Sequence, residues 1–587
     1  MSAIQKLLTD HIDIWIAAET EKKSGRGRSS SNAGSVYGVK KLRELILELA
    51  VRGKLVAQDA RDLPASELVK RIKIEKAELL AKGSIKKSKP LPAIDKEENP
   101  TVLPDGWEWV RLGEITSIRG GSTPSMNKSE YWNGDIPWIS PKDMHGGMIV
   151  DSELKITAAA MTETNLELVP TGSILIVGRS GILKRKLPAQ ITAVPCAVNQ
   201  DIKAVTPIRP LSGRYLQLIF FGNERNILVR DVKQGTTVQS LVYESLFSRP
   251  FGLPPEAEQY RIVAKVDELM ALCDQLEARH SNAADAHEQL VSHLLRTITQ
   301  SQSAAHFNAN WQRIAAHFDT LFTSEASIDA LKQTLLQLAV MGKLVAQDVN
   351  DEPASALLKR FQVEKGKLIA EGTIKKGQPL VAITAEEKKF GIPQGWEWTR
   401  LKDVVYVLGD GLHGTPKYSP NEKCYFINGN NLQNGIIEIK SETKTISEKE
   451  MDKHKKNLNY RTILVSINGT IGNVAFYNNE KIALGKSACY FNLANQISKD
   501  YLRLLIESPY FASYAARSVS GTTIMNLSLA AMNNFPLPIA PFPEQLRIVA
   551  KVSEFMAMCD RLSSRIVNAK QQRKKLADVL VEHAVIG

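Results

Sequence analysis

A stretch that the chain writes twice constrains its fold more than any other feature. Residues 42–59 read LRELILELAVRGKLVAQD and residues 331–348 read LKQTLLQLAVMGKLVAQD. The register runs on without a gap into PDGWEWVRL (104–112) and PQGWEWTRL (393–401), at a constant offset of 289. A second duplicated piece, EQYRIVAKVDELMALCDQL (258–276) against EQLRIVAKVSEFMAMCDRL (544–562), stands at an offset of 286. Copies of this length are far longer than a solenoid unit, so the chain is one duplicated half-molecule. Two like halves in one polypeptide predict a pseudo-two-fold internal repeat.

The 587 residues leave room for roughly four domains. The apolar fraction of 43% and the charged fraction of 24% are those of an ordinary water-soluble protein. No apolar run reaches the ~18 residues of a membrane span, and MSAIQKLLTDHIDIW is not a secretory signal, so a cytoplasmic location and no membrane partner are expected. The five cysteines are scattered without a CxxC pair, which gives neither a disulfide framework nor a zinc site. Cys273 and Cys559 occupy equivalent repeat positions in apolar helical stripes and are read as buried small hydrophobes. A formal charge of +12 favours a polyanionic partner, because lysines and arginines that neutralise phosphates release counterions.

Along the chain, Ile4, Leu7, Leu8, Ile12 and Trp15 have helical spacing. The stretch SGRGRSSSNAGS (24–35) has nothing to build a core and reads as a solvated linker, with a DNA-touching arm through Arg26 and Arg28 as the alternative. The repeat helix LRELILELAV stops at Gly53 and its twin at Gly342, where glycine takes the left-handed conformation. Residues 64–83 and 353–372 each open with proline and close with glycine, as helices do. The lysines that follow (Lys86, Lys87, Lys89; Lys375, Lys376) read as a solvated charged face, or as phosphate contacts.

From Trp107 to about Pro250, and again from 396 to 540, glycines, prolines and short β-prone runs take over, in sequences that diverge between the halves. Both segments close alike, with QGTTVQSL (234–241) and SGTTIMNL (520–527). Each is followed by a long helix with apolar residues in steps of four and three. The first carries Ile262, Val266, Leu269, Cys273, Leu276, His280, Ala283, His287, Leu290 and Leu294; the second carries Ile548, Val552, Phe555, Cys559, Leu562, Ile566, Ala569, Arg573, Leu576 and Leu580. Sustained heptads specify a coiled-coil seam, which pseudo-symmetry makes antiparallel, with His280, His287 and Arg573 expected to fix its register. About 40 residues at ~1.5 Å each give a rod of about 60 Å.

These residues carry a resemblance. RGGSTPSMNKSEYWNGDIPWISPKDM (119–144), LPPEAEQYRIVAKVDEL (253–269) and APFPEQLRIVAKVSEF (540–555), alternating with divergent segments, resemble the DNA-specificity subunit of type I restriction-modification systems over essentially the whole chain. LAVRGKLVAQD and LAVMGKLVAQD look like the repeat of one sub-branch. The second variable segment, GDGLHGTPKYSPNEKCYFINGNNL (409–432), keeps Gly-Thr-Pro but lacks the IPW. The fold class expected is α+β: two mixed α/β target-recognition domains separated by a long antiparallel coiled-coil helix pair. The expected domains are an N-terminal helical scaffold (1–103), a first recognition domain (104–253), a central region (254–392) opening with a spacer helix over 254–300, a second recognition domain (393–541) and a C-terminal spacer helix (542–587).

The resemblance implies a bipartite reader of double-stranded DNA. Two modules on one face of B-DNA sit about one turn, ~34 Å, apart, which suits two short half-sites around a gap of about six to eight base pairs. It implies two methyltransferase subunits bringing S-adenosylmethionine and flipping the target adenine, plus restriction subunits using ATP and Mg. The repeated scaffold is then the surface on which two identical partners dock.

No catalytic machinery of its own is expected. GLPP (252–255) lacks the Asn or Asp of an adenine-methyltransferase loop, and Glu480 stands where a phosphate loop ending LGKS (484–487) needs its first glycine. GRSGILKRK (178–186) and SINGTIGNV (466–474) occupy matching places and read as loops that approach DNA. Base edges and phosphates are met by Arg, Lys, Asn, Gln, Ser and Thr. The first domain's candidates are Arg119, Ser122, Thr123, Ser140, Lys142, Arg179, Ser180, Lys184, Arg185, Lys186, Gln234, Thr236, Thr237 and Gln239. The second domain's are His413, Thr415, Lys417, Asn428, Asn430, Asn431, Asn468, Lys486, Thr522, Thr523 and Asn526. No cofactor and no metal is expected in this chain. Trp107, Trp132, Trp138 and Trp396 read as core.

Overall fold

The computed structural model describes residues 11–17, 36–87, 90–95, 102–235, 238–377, 380–520 and 525–586. Of the sequence expectations, those on Ile4, Leu7, Leu8, the stretch 24–35 with Arg26 and Arg28, and Lys89 lie outside these residues. The chain forms two compact units, residues 1–283 with 569–587, and residues 284–568.

In the first unit the repeat helix Tyr37–Val51 buries Val39, Leu42, Leu45, Ile46, Leu49 and Ala50 along one stripe. At roughly 1.5–3 kcal/mol per large apolar side chain, that stripe, not helix propensity, holds the helix in place. The helix ends where Gly53 turns to φ +68°, and Lys54 N–H closes on Leu49 O at 3.0 Å. Its twin in the second unit, Glu325–Val340, ends at Gly342 (φ +66°), with Lys343 N–H on Leu338 O at 3.0 Å. Only glycine fits either position. A Cβ on Gly53 would lie 2.5 Å from Pro104 and 2.8 Å from Trp107, and one on Gly342 would lie 2.5 Å from Pro393 and 2.9 Å from Trp396.

That contact explains why LAVxGKLVAQD and GWEW are repeated together. Trp107 Nε1 donates to Glu258 at 3.1 Å, and Gln58 bridges Gly53 O (2.9 Å) and the same carboxylate (3.2 Å). In the second unit Trp396 donates to Glu544 at 3.0 Å, and Gln347 bridges Gly342 O and Glu544, each at 3.0 Å. Gln259 and Gln545 are fully buried, accepting from Ser212 and Ser498 N–H. Arg261 pairs with Asp62 and Arg547 with Asp351. The repeated polar residues thus weld repeat helix, recognition segment and long helix into one body, and burial raises the Glu258 and Glu544 carboxyls above their ordinary range.

Each recognition segment is clamped at its ends by an antiparallel strand pair, Glu108–Arg111 with Pro250–Leu253 and Glu397–Arg400 with Pro536–Ile539. Between them the first unit builds a four-stranded antiparallel sheet, in the order Thr116–Gly120, Ile202–Pro207, Ile174–Val177, Ala189–Ile191. The second unit builds the same order from Val405–Asp410, Ala488–Leu493, Thr462–Ser466 and Val474–Phe476. A three-stranded sheet accompanies each: Leu154–Ile156, Trp132–Ile139, Ala197–Val198, and Thr445–Ile446, Cys424–Ile427, Ile482–Leu484, the middle strand running parallel to the last. The ILIV and TILVS strands are buried along their whole length, as continuous apolar runs covered on both faces must be. The duplication therefore extends through the segments whose sequences have diverged. This is the α+β, two-domain architecture expected.

The long helices span Glu256–Thr299 and Phe542–Ile586. The first begins among the residues of one unit and ends among those of the other, and the second does the reverse. Their buried stripes differ from the heptad expectation in one respect. Ile262, Val266, Leu269 and Cys273 are buried, as are Ile548, Val552, Phe555 and Cys559. Beyond them Leu290 and Leu576 are each 49% exposed, and Ala283 and Arg573 are exposed, while Val291, Leu295, Ile298 and Ala577 are buried. The step from Cys273 to Val291, and from Cys559 to Ala577, is 18 residues. Eighteen is five turns at about 3.6 residues each, the drift of a straight helix away from a strict seven-residue repeat. His287, half-buried, bonds Leu321 O through its ring at 2.8 Å.

Candidate nucleic-acid interface

In the first recognition domain, five loops meet through backbone contacts. Gly121 lies so close to the 198–199 turn that a Cβ there would come within 1.7 Å of Val198 O. Asn199 N–H bonds Ile139 O (2.9 Å), next to Ser140 and Lys142, and Thr123 bonds Gln200. Gly178 N–H bonds Asp201 O (2.7 Å), and Leu241 N–H returns to Gly178 O (2.8 Å). Strand Arg179–Ser180 then pairs with Gln239–Leu241, bringing GRSGILKRK beside QGTTVQSL.

The second domain repeats the convergence with other side chains. A Cβ on Gly411 would come within 2.2 Å of Leu484 O. Gly485 N–H bonds Ile427 O, Ser487 Oγ bonds Asn428, and Ile467 N–H bonds Ser487 O. Asn468 bridges Asn526, joining SINGTIGNV to the end of SGTTIMNL. Gly121 and Gly411, which the sequence reading did not single out, are where each cluster closes. Each stands shortly before a Thr-Pro, by two residues in GSTP and by four in GLHGTP, so no common spacing marked them.

The candidates divide into loop builders and free ends. Arg119 is held by Thr206 (3.2 Å), Ser84 O (3.1 Å) and Glu167 (3.5 Å). Ser122 accepts through its carbonyl from Trp138 Nε1, Ser140 bonds Asp143 at 2.8 Å, and Ser180 accepts from Ile182 N–H. Gln239 is fully buried and donates to Gly235 O at 2.9 Å. Asn428 accepts from Ser487, while Asn431, 4% exposed, donates to Glu438 O and Thr443 at 3.0 Å each. His413 is tied to Asp410, and Asn468 is half-buried.

Lys142, Arg179, Lys184, Arg185, Lys186 and Gln234 are exposed, as are Thr415, Lys417, Asn430, Lys486 and Asn526; Thr123 is exposed as well. No carboxylate among the described residues comes within 4.0 Å of Arg179, Lys184, Arg185 or Lys186, so their charge faces solvent. Thr236, Thr237, Thr522 and Thr523 lie outside the described residues. Lys203, missed in the sequence because it sits within a strand, lies 5.5 Å from the Tyr243 ring beside Gly120. Trp107, Trp138 and Trp396 are buried and Trp132 packs edge-on to Trp138, all as core.

Among the described residues no cluster of His, Cys, Asp or Glu has metal-binding form, and no helix is long and apolar enough to cross a membrane. All five cysteines are free and buried.

Two copies of one loop cluster, each on its own sheet and each with its own side chains, define a recognition protein with two readers. The family described as "Type I restriction modification DNA specificity domain" matches residues 104–285 and 393–569. The chain is 38% identical to the EcoEI specificity subunit of Escherichia coli, and 38% identical to the EcoAI specificity subunit of Escherichia coli, each over 99% of this chain and 100% of the relative. Among solved structures, an HsdS subunit from Thermoanaerobacter tengcongensis is similar at 16% identity and a TM-score of 0.39, covering 84% of this chain and 99% of that one. The chain belongs to the type I restriction-modification specificity subunits, with two recognition domains.

Proposed function

We propose that each recognition domain reads one half of an asymmetric, bipartite duplex DNA site, residues 104–253 taking one half and 393–541 the other. The observation that carries this is the pair of loop clusters: one backbone topology, two sets of exposed side chains. Arg179, Lys184, Arg185 and Lys186 supply phosphate contacts to the first reader; Lys417 and Lys486 supply them to the second. Exposed amides and hydroxyls (Gln234; Asn430, Asn526, Thr415) face base edges.

The chain itself is a non-catalytic subunit in this reading. Two methyltransferase subunits carry S-adenosylmethionine, and restriction subunits carry ATP and Mg. Docking of those partners falls to the exposed faces of the helical repeats, since the most strictly repeated polar residues (Glu258, Gln259, Glu544, Gln545) are about 1% exposed or less. The test is an exchange: residues 105–250 replaced by those of a relative with another specificity, followed by mapping of methylated adenines. One half of the recognised sequence should change. A change in both halves sinks the modular reading.

A further inference from the structure

Beside the basic loop of the first recognition domain lies a cavity of about 370 Å³, to which no role has yet been given. Its floor carries two glutamines in opposite states. Gln217 is closed: its Nε2 donates to Ala189 O at 3.0 Å and its Oε1 accepts from Arg214 at 2.8 Å. Gln190 is open. It is 7% exposed, and its Oε1 is buried with no hydrogen-bond partner. A buried acceptor without a partner costs free energy that a bonded donor would recover.

The surrounding groups say what that is. Met144, Ile182, Pro188 and Phe221 provide apolar walls. Arg214 is already neutralised by Asp267 at 2.6 Å, which leaves Lys186 as the available cation on the rim. An amide edge that accepts and donates side by side, between apolar walls and next to a lysine, matches a base and its phosphate. Glutamine pairs in this way with the amino group and neighbouring ring nitrogen of adenine, and bases stack on apolar and aromatic side chains.

We propose that this cavity binds a single nucleotide, its base presenting an amino donor to Gln190 Oε1 and its phosphate meeting Lys186. Such a nucleotide has two sources, a free adenine nucleotide in solution or a nucleotide of the bound DNA turned out of its stack. The second source rests on the DNA-reading proposal; the first does not.

The full chain is titrated calorimetrically with AMP and with N6,N6-dimethyl-AMP, which lacks the amino donor. In a parallel arm, duplex DNA carrying 2-aminopurine next to each adenine of the first half-site, so that the adenine keeps its 6-amino group, is added and the fluorescence that rises on loss of stacking is followed. Gln190→Leu is the variant in both arms. It removes an amide that makes no hydrogen bond, so backbone hydrogen exchange of residues 174–177 and 189–191 should stay as slow or slow further, whereas loss of a structural amide would speed it. AMP binding weakened at least tenfold by Gln190→Leu and by dimethylation assigns the free nucleotide. A fluorescence rise at one position, abolished by Gln190→Leu, assigns the strand. The proposal is overturned if AMP does not bind and DNA binds with no such rise, or if Gln190→Leu leaves both signals unchanged. DNA that fails to bind at all counts against the reading of the domains, and the AMP arm then decides the cavity alone.

Discussion

Removing the Glu258 carboxylate should loosen one half of the molecule and spare the other. In Glu258→Ala the indole N–H of Trp107, which donates to that carboxylate at 3.1 Å inside the core, loses its acceptor. Gln58 loses one partner but keeps Gly53 O at 2.9 Å. An orphaned buried donor costs about 1–3 kcal/mol and a lost solvent-accessible bond about 0.5–1.5 kcal/mol. Removal of a carboxylate that burial disfavours returns part of this, so the net loss is about 1–3 kcal/mol. The chain has two compact units, so a single melting midpoint is the wrong observable. Backbone hydrogen exchange resolves the site: amides of 104–112 and 256–266 should open about 5- to 150-fold more often, since each 1.4 kcal/mol is tenfold. The twin segments 393–401 and 542–552, welded by Glu544, are the internal control and should not move. Glu258→Gln keeps one carbonyl oxygen for the indole and should show a smaller effect. Equal acceleration in both units, or none in either, refutes the weld.

Other outcomes follow from the same geometry. Gly121→Ala forces a methyl group to within 1.7 Å of Val198 O, so the first loop cluster cannot close; binding to the first half-site should be lost while Gly411→Ala abolishes only the second, as footprinting with the methyltransferase partner would show. Lys184→Ala with Arg185→Ala removes two unpaired cations and should flatten the slope of log affinity against log salt by about 1.8, at about 0.9 per phosphate contact; an unchanged slope removes them from the interface. Glu450, which accepts from Lys417 N–H and pairs with Lys453, has its carboxyl lowered to about 2. A depressed folded value stabilises above the ordinary carboxylate range and is lost as pH falls toward about 2, so the 417–453 region should show an acid-induced loosening by NMR that Glu450→Gln lacks.

The reading of the interface from sequence was uneven, and the reason is the same at each position. Polar residue type singled out Lys184 and Arg185, which do face solvent, but also Gln239 and Asn431, which are 0% and 4% exposed and tie loops together. A glutamine in a glycine-rich turn looks alike on paper whether its amide meets a base or the carbonyl of Gly235. Gln190 went unnoticed for the opposite reason: it stands within a short apolar strand, and its lack of partners is a property of its neighbours in space. In the long helices the apolar steps were legible, but Leu290 and Val291 are both apolar, and only packing chooses between them.

What the sequence by itself determined is the doubling: the helix stops at Gly53 and Gly342, GWEW and the EQ stretch each written twice, and two unlike inserts on like frames. Those are local or strictly repeated signals, and repetition makes them readable without a partner in view. The tertiary structure alone decided that the divergent inserts share one strand order, which polar side chains close loops and which remain free, and where the helical stripe re-phases. Each of these depends on contacts between residues tens to hundreds of positions apart, and a hydrogen-bonding side chain's role is fixed by which of those contacts it finds already satisfied.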